Sequence, residues 1–177
     1  MNKEANPHDE RKTIGAVLVL GGGVSGIQAS LDLGSLGFKV YLVETSRMIG
    51  GRMAQLDKTF PTGDCSMCIL SPKMIECNRH PNIKILSYTD IKTVEGEPGN
   101  FRVTLTRKPR YVREDRCVGC RICSSYCPVR VDDPFNEKLS LTKCISVFCP
   151  QAIPAVSAIN ADNCLFLREG KCKICAP

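Results

Sequence analysis

The sequence predicts an α/β fold in two parts: a parallel βαβ unit, then a cysteine-rich region with little regular structure. Three observations carry that expectation. An apolar run rich in Val, Leu and Ile, Thr13–Leu20, leads into a glycine-rich turn, a helical stretch and a second apolar run. Two alternating stretches then flank a Gly-Glu-Pro-Gly-Asn turn. Of the twelve cysteines, three (Cys65, Cys68, Cys77) fall in residues 13–107 and nine fall in 117–175.

Each element follows from local pattern. Thr13–Leu20 is continuously apolar, as a strand buried on both faces should be. Behind Gly21–Gly26, residues Ile27, Leu31 and Leu33 are available for the core face of a helix that Gly34 and Gly37 bring to an end. Lys39–Val43 is the second strand and Asn82–Leu86 the third. Ile91–Glu95 and Phe101–Thr106 alternate around the turn and form a hairpin. The polar stretch Lys108–Arg116 marks the boundary, which gives a flexible tail over 1–12, a first region over 13–107 and a second over 108–177. Lacking periodicity, the second region needs something other than an apolar core to hold it. The basic residues Arg107, Lys108, Arg110, Arg113 and Arg116 read as a solvated face, with a docking surface for an acidic redox partner as the alternative.

Composition narrows the function classes. The chain has 177 residues, 43% of them apolar and 24% charged, and so has the balance of a globular protein. A net charge of +6 is too weak alone to argue for nucleic acid, and an aromatic content of 6% argues against a stacking surface for bases. No apolar run reaches the roughly 18 residues of a membrane span, and Met1–Lys12 has no secretory pattern. The setting reads as cytoplasmic and reducing, with cysteines serving metal rather than disulfides.

The glycine turn carries the first chemistry. Gly21, Gly23 and Gly26 fit G-x-G-x-x-G between a strand and a helix, the Rossmann-like context in which this motif binds a dinucleotide. The helix N-terminus, with Ser25 in its first turn, offers amides and a dipole to a pyrophosphate. Glu44 closes the second strand, where an acid accepts from a ribose hydroxyl. The motif alone does not choose between FAD and a nicotinamide nucleotide. A second glycine pair before Arg52, Gly50-Gly51, resembles flavin disulfide-reductase-like folds, in which it lies along the dinucleotide.

The cysteines carry the second. Cys117, Cys120, Cys123 and Cys127, followed by Pro128, form C-x2-C-x2-C-x3-C-P, the bacterial ferredoxin run for a 4Fe–4S cluster. Cys164, Cys172 and Cys175 form C-x7-C-x2-C. Because the last cysteine of such a run ligates the other cluster, Cys127 joins Cys164, Cys172 and Cys175. The fourth ligand to Cys117, Cys120 and Cys123 would stand at position 179, beyond the last residue. The expectation is one full cluster and one three-cysteine cluster, or a chain that ends artificially. Cys65 and Cys68, with Cys77 nearby, ligate another cluster, form a redox dithiol or are small buried residues. Cys144 and Cys149 read as small apolar residues, His80 as a turn or core histidine, and His8 as part of the tail.

With these motifs in hand, the chain resembles the flavin-and-ferredoxin segment of the heterodisulfide reductase A-subunit family. The resemblance rests on VLVLGGGVSGIQASLDLGSLGFKVYLVE, IGGRMAQLDKTFPTGDCSMCILSPKM, RHPNI, KPRYV, CVGCRICSSYCPV and PQAIP, and covers about Ile14 to Pro177. It implies an FAD domain of thioredoxin-reductase-like fold, incomplete here, with an inserted two-cluster ferredoxin-like domain. It further implies an electron-transfer subunit with no acid–base residue, working with other heterodisulfide reductase-like subunits and a hydrogenase- or dehydrogenase-type donor. Electrons would go toward the mixed disulfide of coenzymes M and B and toward ferredoxin. Gly21, Gly23, Gly26 and Glu44 map onto the dinucleotide motif, and Cys117, Cys120, Cys123, Cys127, Cys164, Cys172 and Cys175 onto the ferredoxin motifs. Family members continue beyond this point, and Cys144 and Cys149 stand where other residues are expected. The alternatives are a ferredoxin-like carrier without flavin, or an inactive truncated fragment.

Overall fold

The computed structural model describes residues 15–175. His8, the 1–12 tail and the first two residues of the expected strand, Thr13 and Ile14, lie outside the described residues. Three parallel strands make the main sheet: β1 (Ala16–Leu20), β2 (Lys39–Glu44) and β3 (Ile83–Ser87), in the order β1-β2-β3. Register runs from Ala16 opposite Lys39 to Glu44 opposite Ser87. Helix α1 (Val24–Ser35) crosses from β1 to β2 and buries Ile27, Ser30, Leu31 and Gly34, the i, i+3, i+4, i+7 set of one face. Those residues meet Val40 and Leu42 of β2, so each side of the crossover removes apolar surface from water.

Between β2 and β3 lie a short 3-10 helix (Gly51–Gln55) and a fourteen-residue helix, α2 (Ser66–Arg79), which the sequence reading did not assign. Ser66, Leu70, Met74 and Cys77 form its buried stripe. Pro72 sits inside it on the exposed side, where the lost amide leaves the Cys68 carbonyl without an intrahelical donor. His80 ends α2 as a turn residue: its Nδ1 accepts from the Asn82 amide at 3.2 Å. The hairpin is longer than its alternating core, β4 (Thr89–Glu97) pairing antiparallel with β5 (Asn100–Arg107).

The second region corrects two expectations. It has short elements: α3 (Ile122–Tyr126), β6 (Arg130–Asp132) paired with β7 (Leu141–Lys143), β8 (Ile145–Ser146) paired with β9 (Ala158–Ile159), and α4 (Leu165–Glu169). It does not rely on metal alone, because its middle joins the apolar core of the first region. Cys149 and Ala152 are buried in that core, with Phe135, Val147, Phe148 and Ile153 packed against it. The Ile49 amide donates to the Ile153 carbonyl at 2.9 Å, and Gln55 Nε2 donates to the Phe135 carbonyl at 2.8 Å.

The basic stretch is not uniformly solvated. Arg110 is 3% exposed. Its Nη2 donates to the Arg47 carbonyl at 2.7 Å and to Ser87 Oγ at 2.9 Å, and its guanidinium lies 5.5 Å from the Tyr88 ring centroid. Among the described residues Nε and Nη1 have no hydrogen-bond partner, although Glu114 Oε1 stands 3.7 Å from Nε. Burial lowers its pKa, with Glu114 acting the other way. The Ile159 amide donates to the Arg110 carbonyl at 3.0 Å, which ties this basic stretch to β9.

Candidate functional site: a glycine loop and a cysteine-lined cavity

The glycine loop is shaped by close backbone approaches. A Cβ on Gly26 would run into the Gly21 carbonyl oxygen, so only glycine lets α1 start this tightly against β1. At Gly23, the N-cap of α1, a Cβ would meet nothing within 4 Å, and the backbone there faces open space. No side chain caps the helix, and Ser25 is exposed in its first turn. The free amides are therefore open to an anion.

Glu44 stands against this loop. Its Oε2 accepts from the Gly22 amide at 2.6 Å and its Oε1 from the Ser46 amide at 2.7 Å. A carboxylate has about four lone-pair sites, so acceptor capacity remains. The second glycine pair packs on the first. The Gly50 amide donates to the Gly22 carbonyl at 2.6 Å, and a Cβ on Gly51, at φ +56°, would meet Gly23 Cα at 2.9 Å.

Beside them is a cavity of about 300 Å³ lined by Glu44, Ser46, Met48, Gly51, Arg52 and Gln55 from the first region and by Pro134, Phe135, Glu137 and Phe148 from the second. Phe135 and Phe148 meet edge to face at 5.7 Å. Arg52 pairs with Glu137, and Arg52 and Gln55 hold the Glu137 carboxyl below the usual range, the Arg52 hydrogen bond contributing most. The open backbone, the amides and the adjacent acid fit a dinucleotide. Sequence reasoning missed the lining from the second region, because Phe135, Glu137 and Phe148 arrive by tertiary packing.

The cysteines form a second site. Cys127 from the first run and Cys164, Cys172 and Cys175 from the second line one cavity, walled by Pro128, Val129, Ile145, Ile159, Leu165, Phe166 and Ile174. Burial pushes the Cys175 thiol up, and the neighbouring Cys164, Cys127 and Cys123 add to it. Four thiols against apolar walls fit a four-iron cubane in their donor set. Among the described residues, no three His, Cys, Asp or Glu side chains close on a single metal ion.

A fifth sulfur lines the same cavity. Cys144 is 1% exposed and its thiol donates to the Asn160 carbonyl at 3.2 Å. Burial pushes it up to about 11, with Cys164 and Cys127 contributing. Cys117 and Cys120 flank Gly119 on the loop before α3, and Cys123 Sγ lies 3.7 Å from Ser157 Oγ. Gly119 backs onto Ala155: a Cβ there would meet the Ala155 methyl at 3.3 Å.

The remaining cysteines separate by burial. Cys77 is fully buried and its thiol is pushed up to about 11, by burial first and then by Glu76. Cys149 is buried with Sγ 3.3 Å from Met48 Sδ, and burial raises its pKa as well. Both are small apolar residues of the core. Cys65 and Cys68 are exposed and joined as a disulfide, with Cα atoms 5.2 Å apart, which corrects both the expectation that the cysteines serve metal rather than disulfides and the reading of this pair as small buried residues.

Among the described residues no helix is long and apolar enough to cross a membrane. The family model for FAD-dependent oxidoreductases matches residues 16–62, and that for 4Fe–4S binding domains matches 110–131. Those matches identify FAD and 4Fe–4S clusters as the cofactors. The chain is 56% identical over 142 residues to the second iron-sulfur A-subunit of CoB–CoM heterodisulfide reductase from Methanopyrus kandleri, covering 80% of this chain and 22% of the relative. It is 52% identical over 161 residues to the corresponding iron-sulfur A-subunit from Methanocaldococcus jannaschii, covering 90% and 24%. With the A-subunit of the H2:CoB–CoM heterodisulfide,ferredoxin reductase from Methanothermobacter thermautotrophicus it shares 48% over 158 residues, covering 89% and 23%. Among solved structures, L-proline dehydrogenase from P. horikoshii overlays 53% of this chain and 20% of its own, at TM-score 0.44 and 28% identity. The chain thus spans less than a quarter of the length of these three relatives. Identity near one half along most of its residues, with the flavin and iron–sulfur signatures in their order, makes the chain a member of the heterodisulfide reductase A-subunit family.

Proposed function

We propose that this stretch relays electrons between FAD and 4Fe–4S clusters within a heterodisulfide reductase-like complex of the cytoplasm. Its partners are the other subunits, a hydrogenase- or dehydrogenase-type donor and ferredoxin, and the disulfide of coenzymes M and B is reduced on one of those other subunits. The relatives' names support the substrate and the ferredoxin branch. When bound, FAD stores an electron pair and the clusters pass single electrons. The chain's own residues bind, orient and exclude water, and no side chain acts as an acid or base.

Gly21, Gly23, Ser25 and Gly26 present the α1 amides to the pyrophosphate, Glu44 takes a ribose hydroxyl, and Gly51 and Arg52 lie along the dinucleotide. Cys127, Cys164, Cys172 and Cys175 hold one cluster, and Cys117, Cys120 and Cys123 hold the other. Residues 108–175 act as a ferredoxin-like unit laid on the flavin region, which shortens the path between the two kinds of cofactor.

The observation that carries this reading is the single cavity shared by Cys127 and the three C-terminal cysteines. No other residue of the first run lines it, as cross-ligation between two clusters requires. Anaerobic purification with iron, acid-labile sulfide and flavin analysis, followed by EPR after reduction, tests it. Bound flavin and a reduced-cubane signal are expected. A zinc-loaded or colourless protein overturns it.

A further inference from the structure

One motif takes no part in either site. Cys65 and Cys68 form C-x2-C at the start of α2, and their sulfurs are joined. Three features make the pair a reactive site rather than a structural staple. Both residues are exposed, unlike Cys77, Cys144 and Cys149. The pair spans only three positions of an already folded helix start, so it closes almost no loop and adds little by chain entropy. The helix also distinguishes the two sulfurs. Cys65 is the N-cap residue, and its Sγ accepts from the Cys68 amide at 3.2 Å. Negative charge is favoured there by that amide and by the N-terminal end of a fourteen-residue helix.

The surroundings suit docking. Lys58 and Cys65 form an isolated antiparallel bridge that closes the loop between them. Inside that loop Phe60 is 98% exposed, and Ile69, on the first turn of α2, is 41% exposed. The loop is tied by the Thr59 amide to the Asp64 carbonyl at 2.9 Å and the Gly63 amide to the Thr59 carbonyl at 2.8 Å. An ordered loop that presents a bare phenyl ring beside an exposed disulfide offers an apolar seat to a thiol-bearing partner.

We propose that Cys65–Cys68 is a redox-active pair that exchanges with the dithiol of a partner molecule, with Cys65 as the sulfur that bonds to the partner. In the reductive direction one partner thiolate attacks Cys65 Sγ. The Cys65–Cys68 bond breaks, and Cys68 leaves as a thiolate that takes up a proton. The partner's second thiol, after losing its proton, attacks the mixed disulfide and releases Cys65. Two electrons and two protons pass from the partner dithiol to the pair, and the partner becomes a disulfide. In reverse, Cys65 thiolate attacks the partner disulfide and Cys68 resolves the intermediate. The exchange goes beyond the electron relay and does not depend on flavin or cluster binding.

The test uses the anaerobic holoprotein and a series of glutathione buffers from reduced to oxidised. Trapping with iodoacetamide and mass spectrometry follow tryptic peptide 59–73, whose only cysteines are Cys65 and Cys68. The peptide is expected to move between dithiol and disulfide across the series while iron content stays constant. In C68S, Cys65 should form a mixed disulfide with Ellman's reagent on the order of tenfold faster than Cys68 does in C65S. A peptide that holds one state throughout overturns the proposal, and so do equal rates for the two variants. Loss of iron in C65S or C68S overturns it in another way, by making the pair cluster ligands.

Discussion

The two regions hold their functional groups by different means. In the glycine-loop region most of the working atoms are backbone, and Glu44 stands at the end of β2. The loop stands on β1 and α1, whose apolar faces meet Val40 and Leu42, and its shape is set by contacts that only glycine permits. In the cysteine-rich region, the sulfurs come from Cys127, which ends α3, from Cys164, which caps α4, and from Cys172 and Cys175 beyond it, among strands of two or three residues and helices of five. Such elements are too short to stand alone. The first region is built to be correct before its ligand arrives, whereas the second is completed by what its thiols bind.

Metal removal should separate the regions most sharply. Stripping the clusters with a chelator under oxidising conditions should leave residues 16–107 protected in hydrogen exchange. Residues 117–131 and 155–175 should lose about 100-fold or more of their protection. Residues 133–153 should stay intermediate, because Phe135, Phe148, Cys149 and Ala152 belong to the other region's core. Equal loss along the whole chain would abolish the contrast. Within the cavity, Cys164→Ser should lower bound iron, while Cys144→Ala should leave the iron count unchanged, since four thiolates saturate a cubane.

Gly26→Val probes the other region. The branched side chain would drive into the Gly21 carbonyl and displace the loop. Flavin affinity should fall on the order of 100-fold, while iron content stays at the wild-type level. Flavin titration alongside iron analysis checks both, and a joint loss would mean that the two regions do not fold separately.

The sequence was most informative where function depends on spacing. The glycine turn, Glu44 and the two cysteine runs were readable because a few fixed offsets dictate each geometry, and the parallel strands because each carries an apolar run, although β1, at the edge of the sheet, has no fully buried residue and is not the strand buried on both faces that the run suggested. Helix α2 was hidden by Pro72 and by cysteines among its apolar positions, although Ser66, Leu70, Met74 and Cys77 do keep a helical period. The packing of 133–153 onto the first region left no local signal, since Phe135 and Phe148 follow no helix or strand period. Arg110 misled for a related reason: five basic residues within ten positions describe a solvated face unless the fold supplies partners, and the Arg47 carbonyl and Ser87 Oγ accept from one of them while Glu114 offers it an opposite charge.

Arg110 couples the regions, so Arg110→Met measures that coupling. The substitution removes charge-assisted bonds to the Arg47 carbonyl and Ser87 Oγ and leaves the first acceptor half-buried and the second buried. It also relieves the desolvation of Nε and Nη1, which have no hydrogen-bond partner among the described residues. The lost bonds outweigh that relief, and the net destabilisation should be about 1–3 kcal/mol by denaturant titration. No change or a gain would show that the buried charge costs as much as its bonds return.

The smallest effect belongs to Cys77, which distinguishes a core thiol from a ligand thiol. Burial, helped by Glu76, pushes its pKa from 9.0 to about 11 in the folded chain. The folded state then holds a proton that the unfolded state has released, so stability falls with rising pH across that interval. The contribution is complete below pH 9 and is lost as pH climbs toward 11. Cys77→Val fills similar space without a titrating group, and its stability should therefore decline less steeply over the same interval. Equilibrium unfolding of the cluster-free protein at several alkaline pH values checks it, because ligand thiols that have lost their metal contribute equally to both proteins. Parallel slopes for wild type and variant would mean that the Cys77 thiol titrates alike folded and unfolded, and would remove it from the core that sets the first region apart.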